Sequence, residues 1–339
     1  MIVWIIFISA ILAFMFIDLG VFNRKAHVIS LREATMWTMI WVFIALAFSS
    51  VVFFLYKNDL VNNIDELSPR SAVIKYITGY LIELSLSVDN IFVIAVIFST
   101  FSIPQKYQHR VLFWGILGAI VFRLLMILFG VMLIHKIDWI IYVFGAFLLF
   151  TAINMYIKRN KESDFTKSPV YRLIKKIAPV TSSLKGQKFF IKYRGKIIIT
   201  PLLVALIVIE ATDVLFAVDS VPAILAITSD PFLVFSSNIL AILGLRSMYF
   251  FLSNMLDRFR NLKYSLIVIL LYVGIKMILA HHTVIGGYDI HVDFPEWFSL
   301  TFIVASMLAG ILSSLRSESG ERGAGSTEQG AESREQRIG

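Results

Sequence analysis

LIELSLSVDNIFVIAVIFS, residues 81–99, is apolar enough to dissolve in lipid except at Glu83, Asp89 and Asn90. That contrast decides the fold. A carboxylate at the centre of a membrane helix costs about 2.5–3.5 kcal/mol on the insertion scale, so it is kept only where a partner, an ion or a proton offsets the cost. The whole chain has the same character: of 339 residues, 58% are hydrophobic and 16% charged. Water would demand a polar exterior that such a composition cannot supply, whereas lipid removes the demand. The sequence therefore describes an all-α polytopic membrane protein.

Several function classes fall away. There is no cysteine, which excludes disulfides, thiolate metal sites and thiol redox chemistry by this chain. The six histidines, His27, His109, His135, His281, His282 and His291, fall at or beyond the ends of apolar runs, away from where haem ligands would stand. No nucleophile–base pair or nucleotide loop is visible, so an enzyme is not expected. The net charge of +8 is concentrated: twelve Lys and Arg lie between Lys158 and Lys196, against Glu162 and Asp164. Such a loop fixes topology and meets anionic lipid, and no nucleic-acid partner is expected. The first twenty residues lack a basic n-region and a cleavage site, so they read as a retained span.

A span needs about 20 apolar residues. Nine are expected, at 2–22, 34–56, 72–101, 110–134, 138–157, 197–228, 232–254, 264–281 and 297–315. The odd-numbered connections carry the positive excess, which puts the N-terminus outside and the C-terminus in the cytoplasm. Residues 316–339 are polar and Gly-rich and read as a disordered tail. A short hairpin turning at Gly195 is expected within 188–200.

The opening stretch has a counterpart in IVIEATDVLFAVDSVPAILAIT, residues 207–228. Glu83 aligns with Asp213, Asp89 with Asp219 and Asn90 with Ser220. GILGAIVFR (115–123) then falls on NILAILGLR (238–246), bringing Arg123 onto Arg246, and 142–150 falls on 272–280. Units of three spans each, 72–157 and 197–281, form a 3+3 inverted repeat. Spans 1 and 2 (1–71) and the outer loop with span 9 (282–315) are peripheral, and 158–196 is the basic cytoplasmic loop between the units. Inverted repeats put a binding site near the midplane.

Glu83, Asp89, Glu210, Asp213 and Asp219 face Arg123, Arg246 and Lys276, which balance charge or gate. Five acids against three bases leave −2, the complement of one divalent cation. Glu83 and Asn90 share a helix face two turns apart, while Asp89 points away. Pro222 frees the Val218 carbonyl, so a helix break is expected beside Asp219. With Asn90 and Ser220 added, all the ligands are oxygens, which suits Mn²⁺, Mg²⁺ or Ca²⁺. Crowded acids also hold protons, a natural coupling device.

GYLIELSLSVDNIFV (79–93), IVIEATDVLFAVDSVPAI (207–224) and SNILAILGLRSMYF (237–250) resemble the TerC family of integral membrane proteins, in its Alx-like branch, across residues 2–315. The resemblance implies a LysE-superfamily-like fold in the bacterial cytoplasmic (inner) membrane. It further implies export of manganese linked to protons, with Mn²⁺ as cargo and no permanently bound cofactor. The family's functional acids fall on Glu83, Asp89, Glu210, Asp213 and Asp219. Leu84 departs from relatives that carry lysine there. Two other readings stay open, a non-transporting scaffold for metal or tellurite stress and an exporter of a small cationic metabolite.

Overall fold

The computed structural model describes residues 2–17, 29–137, 139–158, 168–177, 179–181, 184, 186–193, 196–253, 262–279, 283–285, 288–290 and 294–314. Asp18, Asp138, the Asp89 side chain and the tail beyond 314 lie outside the described set. The helices are α1 (Ile2–Ile17), α2 (Leu31–Lys57), α3 (Pro69–Thr100), α4 (Gln105–Lys136), α5 (Ile140–Lys158), α6 (Pro169–Ile177), α7 (Pro201–Leu225), α8 (Pro231–Ser253), α9 (Leu262–Leu279) and α10 (Glu296–Ser314). Among the described residues seven are long and apolar enough to cross a membrane, namely α2, α3, α4, α5, α7, α8 and α10. The protein is thus a helical, multi-pass membrane protein.

Local chemistry sets the helix starts. Four of them open on a capping residue followed by proline: Ser68-Pro69, Ser168-Pro169, Thr200-Pro201 and Asp230-Pro231. Proline suits the first turn because the N–H it lacks has no intrahelical partner there. Ser68 accepts from the Ser71 N–H at 3.1 Å, and Asp230 accepts from Phe232 and Leu233 at 2.9 and 3.2 Å. α2 opens without a proline, on Ser30, which accepts from the Glu33 N–H at 3.3 Å.

The expected span 197–228 begins differently. Lys196–Ile199 is a strand, β2, paired antiparallel with β1 (Phe190–Tyr193), with Tyr193 opposite Lys196. The hairpin expected at Gly195 is present, and its two-residue connection, 194–195, lies outside the described residues. Thr200 holds the hairpin to the start of α7 by donating to the Lys188 carbonyl at 2.8 Å. A second hairpin, β3 (Thr283–Ile285) with β4 (Tyr288–Ile290), was not expected. Its signal was in the sequence: Gly286-Gly287 between short β-prone runs, a two-residue turn pattern.

Pro222 does not break its helix as expected, since α7 continues through it to Leu225. The lost hydrogen bond falls in the final turn, and the turn still closes: the Ala226 N–H reaches the Pro222 carbonyl at 3.0 Å and Ile227 reaches Ile224 at 2.8 Å.

α8 is the central helix, buried along almost its whole length and wrapped by α2, α3 and α4. α1 docks on it through rings, Trp4 and Phe7 against Phe232 and Phe235. α2 turns Met36, Met39, Phe43 and Phe54 outward, a lipid-facing surface. Around this centre the principal pairings are α3 with α8, α4 with α7, and α5 with α9. The last is a backbone approach: a Cβ on Gly145 would lie 3.1 Å from the Gly274 carbonyl, and a Cβ on Gly274 3.1 Å from that of Gly145. A polar latch joins two connections at one end. Asp65 accepts from Thr228 Oγ1 at 2.7 Å and from the Ser229 N–H at 3.1 Å, and also from the Ser229 hydroxyl.

Two expectations follow. Gly145→Val inserts bulk where backbones meet and costs about 1–3 kcal/mol, read as a lowered melting temperature in detergent. Burial would raise the Asp65 carboxyl, but hydrogen bonds from Ser229 and Thr228 and the Lys75 charge outweigh it and hold its pKa below the usual value. A depressed pKa stabilises above the unfolded value of about 3.9 and is lost as pH falls through the folded value. Wild type and Asp65→Asn therefore differ in melting temperature at pH 5–7, and the difference shrinks as pH falls below about 4.

Candidate functional site

At the centre of the bundle, α4 presents Arg123 to three other helices. Its guanidinium grips Asp213 of α7 with two nitrogens, Nη2 to Oδ1 at 3.1 Å and Nε to Oδ2 at 3.4 Å. Nη1 donates to Glu83 of α3, to Asn238 of α8 at 2.9 Å and to Ser220 of α7 at 3.3 Å. Asn238 Nδ2 in turn donates to the second oxygen of Glu83 at 3.1 Å. Arg123 and Glu83 are 1% and 0% exposed, so in this pair neither charge has water to fall back on. Arginine suits the position because its planar fork can satisfy several carboxylate oxygens at once.

The expected ligands do not converge on one point. Glu83, Asp213 and Ser220 belong to the arginine cluster. Glu210 stands apart on α7, packed over Gly118, where any Cβ would collide with its carboxylate, and its Oε2 is buried without a hydrogen-bond partner. Asp219 accepts from Thr151 of α5 at 3.0 Å. Asn90 is buried, and its Oδ1 has no partner. Among the described residues, no three His, Asp or Glu side chains gather closely enough to hold a metal. Of the expected bases, Arg123 bridges Glu83 and Asp213. Arg246 is buried in α8, and Lys276 donates to Ser299 of α10 at 3.0 Å.

Two cavities flank the arginine cluster. One, of about 30 Å³, is a narrow void between α3, α4 and α7 lined in part by Asp213 and Thr212. The other, of about 190 Å³, lies between α3, α5, α7 and α9 and is lined in part by Asp219, Thr151 and Asn154. Asn90 and Phe216 line both, so they form the partition between them. A third cavity, of about 490 Å³, is more open and polar, with Ser99, Ser102, Gln105 and Gln108 near the α3–α4 connection. Each inner cavity thus has its own carboxylate, and a neutral amide oxygen stands between them.

Asn238, Phe216, Thr151 and Asn154 were missed in the sequence. Asn238 had a signal, since SSN (236–238) is a polar triplet inside an apolar span. Thr151 and Asn154 sit three apart on one helix face, a pattern that singles out nothing without knowledge of the neighbouring helix.

The model of the integral membrane protein TerC family matches residues 68–321. A Myxococcus xanthus protein described as uncharacterized membrane protein STKORF319 is 45% identical over 312 residues, covering 92% of this chain and 91% of its own. An uncharacterized membrane protein of Rickettsia bellii is 41% identical over 312 residues, covering 92% and 96%. The Escherichia coli "Putative membrane-bound redox modulator Alx" is 45% identical over 258 residues, covering 76% and 79%. No solved structure matches the chain significantly.

Arg123→Gln leaves Glu83 and Asp213 buried without their cation, at a cost of about 3–5 kcal/mol. The melting temperature in detergent falls sharply, and adding Glu83→Gln recovers part of the loss.

Proposed function

The chain belongs to the TerC family of integral membrane proteins, and from that premise we propose that it is a secondary transporter exporting manganese across the bacterial cytoplasmic membrane in exchange for protons. The observation that carries this reading is the partition. Acids from two related segments share one arginine, and on either side lies a cavity with its own carboxylate, separated only by Asn90 and Phe216. A pathway for a cation needs such an arrangement: oxygen ligands on both sides of a narrow barrier, and no permanent through-channel.

The packing supports the inverted repeat of α3–α5 and α7–α9. Exchanging α3 with α7, α4 with α8 and α5 with α9 turns the α3–α8 contact into α7–α4, and both are among the most extensive in the bundle. The α5–α9 contact maps onto itself. Its mutual glycines pair Gly145 with Gly274, shifting the alignment of 142–150 on 272–280 by one residue. With α1, α2 and α10 added, the reading takes nine spans, with the N-terminus outside and the C-terminus inside as the basic odd-numbered connections suggest.

In this reading Arg123 serves as an internal stand-in for cargo. It neutralises Glu83 and Asp213 while no ion is near, and an arriving divalent cation competes for the same oxygens. Protons are the proposed counter-ion and meet the same oxygens in the other half of the cycle. Rocking of one repeat against the other exposes the two cavities in turn. The name of the E. coli relative suggests a redox role. With no cysteine available, such a role in this chain would act through the metal carried rather than through a thiol.

Proteoliposomes containing the purified protein provide the test. Wild type is expected to move Mn²⁺ down an imposed gradient with counterflow of protons, and Asp213→Asn and Asp219→Asn to abolish the flux. Wild type that moves no Mn²⁺ would overturn the reading.

A further inference from the structure

The cavity around Asp219 has one wall that the acidic motifs do not account for. Thr151, Asn154 and Met155 all line it, and at spacings of three and four they lie on one face of α5. Opposite them stand Asp219 and Ser220 of α7 and Asn90 of α3. The Asn90 amide oxygen is buried and unpartnered, although the residue is only 4% exposed. A buried acceptor without a donor costs free energy unless something electropositive meets it. Arg123 also borders this space, and it donates to Glu83, Asp213, Asn238 and Ser220.

We propose that this cavity is the selective cation station, with α5 supplying half of its ligands and the Met155 thioether deciding which divalent ions are accepted. The inference rests on the transport reading given above and deepens it. The Asp219 carboxylate, the Asn90 and Asn154 amides and the Thr151 hydroxyl are hard oxygen donors that any divalent cation would accept. Mg²⁺ and Ca²⁺ take oxygen ligands and gain little from sulfur, whereas transition metals tolerate or favour a softer donor. One thioether among oxygens therefore penalises the abundant alkaline-earth ions, which would have to exchange a water or carbonyl for it. Met155 is half-buried, packs partly against the apolar core and lines the cavity, so its side chain borders both. α9 closes the far side with Leu266 and Leu270, which offer no competing ligand.

The test compares wild type with Met155→Leu, a nearly volume-conserving change that the packing tolerates. In proteoliposomes Met155→Leu keeps Mn²⁺ flux, and inhibition of that flux by external Mg²⁺ is strengthened about tenfold, the scale of a single lost discriminating contact. Unchanged Mg²⁺ inhibition in a flux-competent Met155→Leu overturns the inference and leaves the transport reading standing. Absence of Mn²⁺ flux in wild type overturns both. A second measurement does not depend on the variant folding: X-ray absorption of wild-type protein loaded with Cd²⁺. The chain has no cysteine, so a sulfur scatterer beside Cd²⁺ can come only from a methionine. One sulfur neighbour is expected, and a shell of oxygens alone overturns the proposal.

Discussion

One guanidinium holds the centre of this protein together. Without Arg123, two carboxylates from α3 and α7 would sit in a region of low dielectric with only hydroxyl and amide donors around them. With it, four helices are tied by a single planar group whose donors reach Glu83, Asp213, Ser220 and Asn238. The geometry of the rest follows from that knot. α8 must run beside α4 to bring Asn238 to the fork, and α3 must present Glu83 toward α4 rather than toward lipid. An ion pair of this depth adds little net stability compared with a well-packed apolar core, because desolvating both partners consumes most of their attraction. Its retention therefore speaks for a function.

The membrane character of the chain, the places of the helices and the basic connection between α5 and α7 were legible in composition and in the runs of apolar residues. So was the importance of the acids, because a carboxylate among leucines and isoleucines is conspicuous. What the sequence could not supply was their distribution in space. Glu83, Asp213 and Asp219 read as members of one cluster because counting charges has no geometry in it. The structure keeps Glu83 with Asp213 on Arg123 and sets Asp219 apart: it lies about 1.7 turns beyond Asp213 on α7, where Thr151 of α5 meets it. Pro222 was misread for a related reason: it removes one hydrogen bond, but the residues after it still close their turn, so α7 runs on to Leu225. Asn90 was identified correctly as polar and buried, yet nothing in its sequence neighbourhood could reveal that it borders two cavities.

The arginine cluster and the Asp219 cavity divide the chemical labour. The cluster is densely bonded, with the guanidinium donating to four side chains that hold it from several directions. The cavity is under-satisfied, with an orphan amide oxygen and a carboxylate anchored by a single hydroxyl. Densely bonded networks rigidify, while a buried acceptor left unpaired costs free energy until a donor or cation meets it. The proposed transport calls for both: a fixed hinge against which helices are referenced, and a place where binding is favourable without being irreversible.

α3 and α4 each contain 32 residues, about 48 Å of helix at a rise of 1.5 Å per residue. The hydrocarbon layer is only about 30 Å thick, so unless both helices tilt steeply, their joined ends stand clear of it. The hydroxyls and amides of Ser99, Ser102, Gln105 and Gln108 are gathered at that junction. In the proposed transport, a cation arriving there would keep its hydration shell at the membrane surface. Dehydration would be deferred to the depth of Asn90, confining the steepest free-energy climb to a few ångströms beside compensating oxygens.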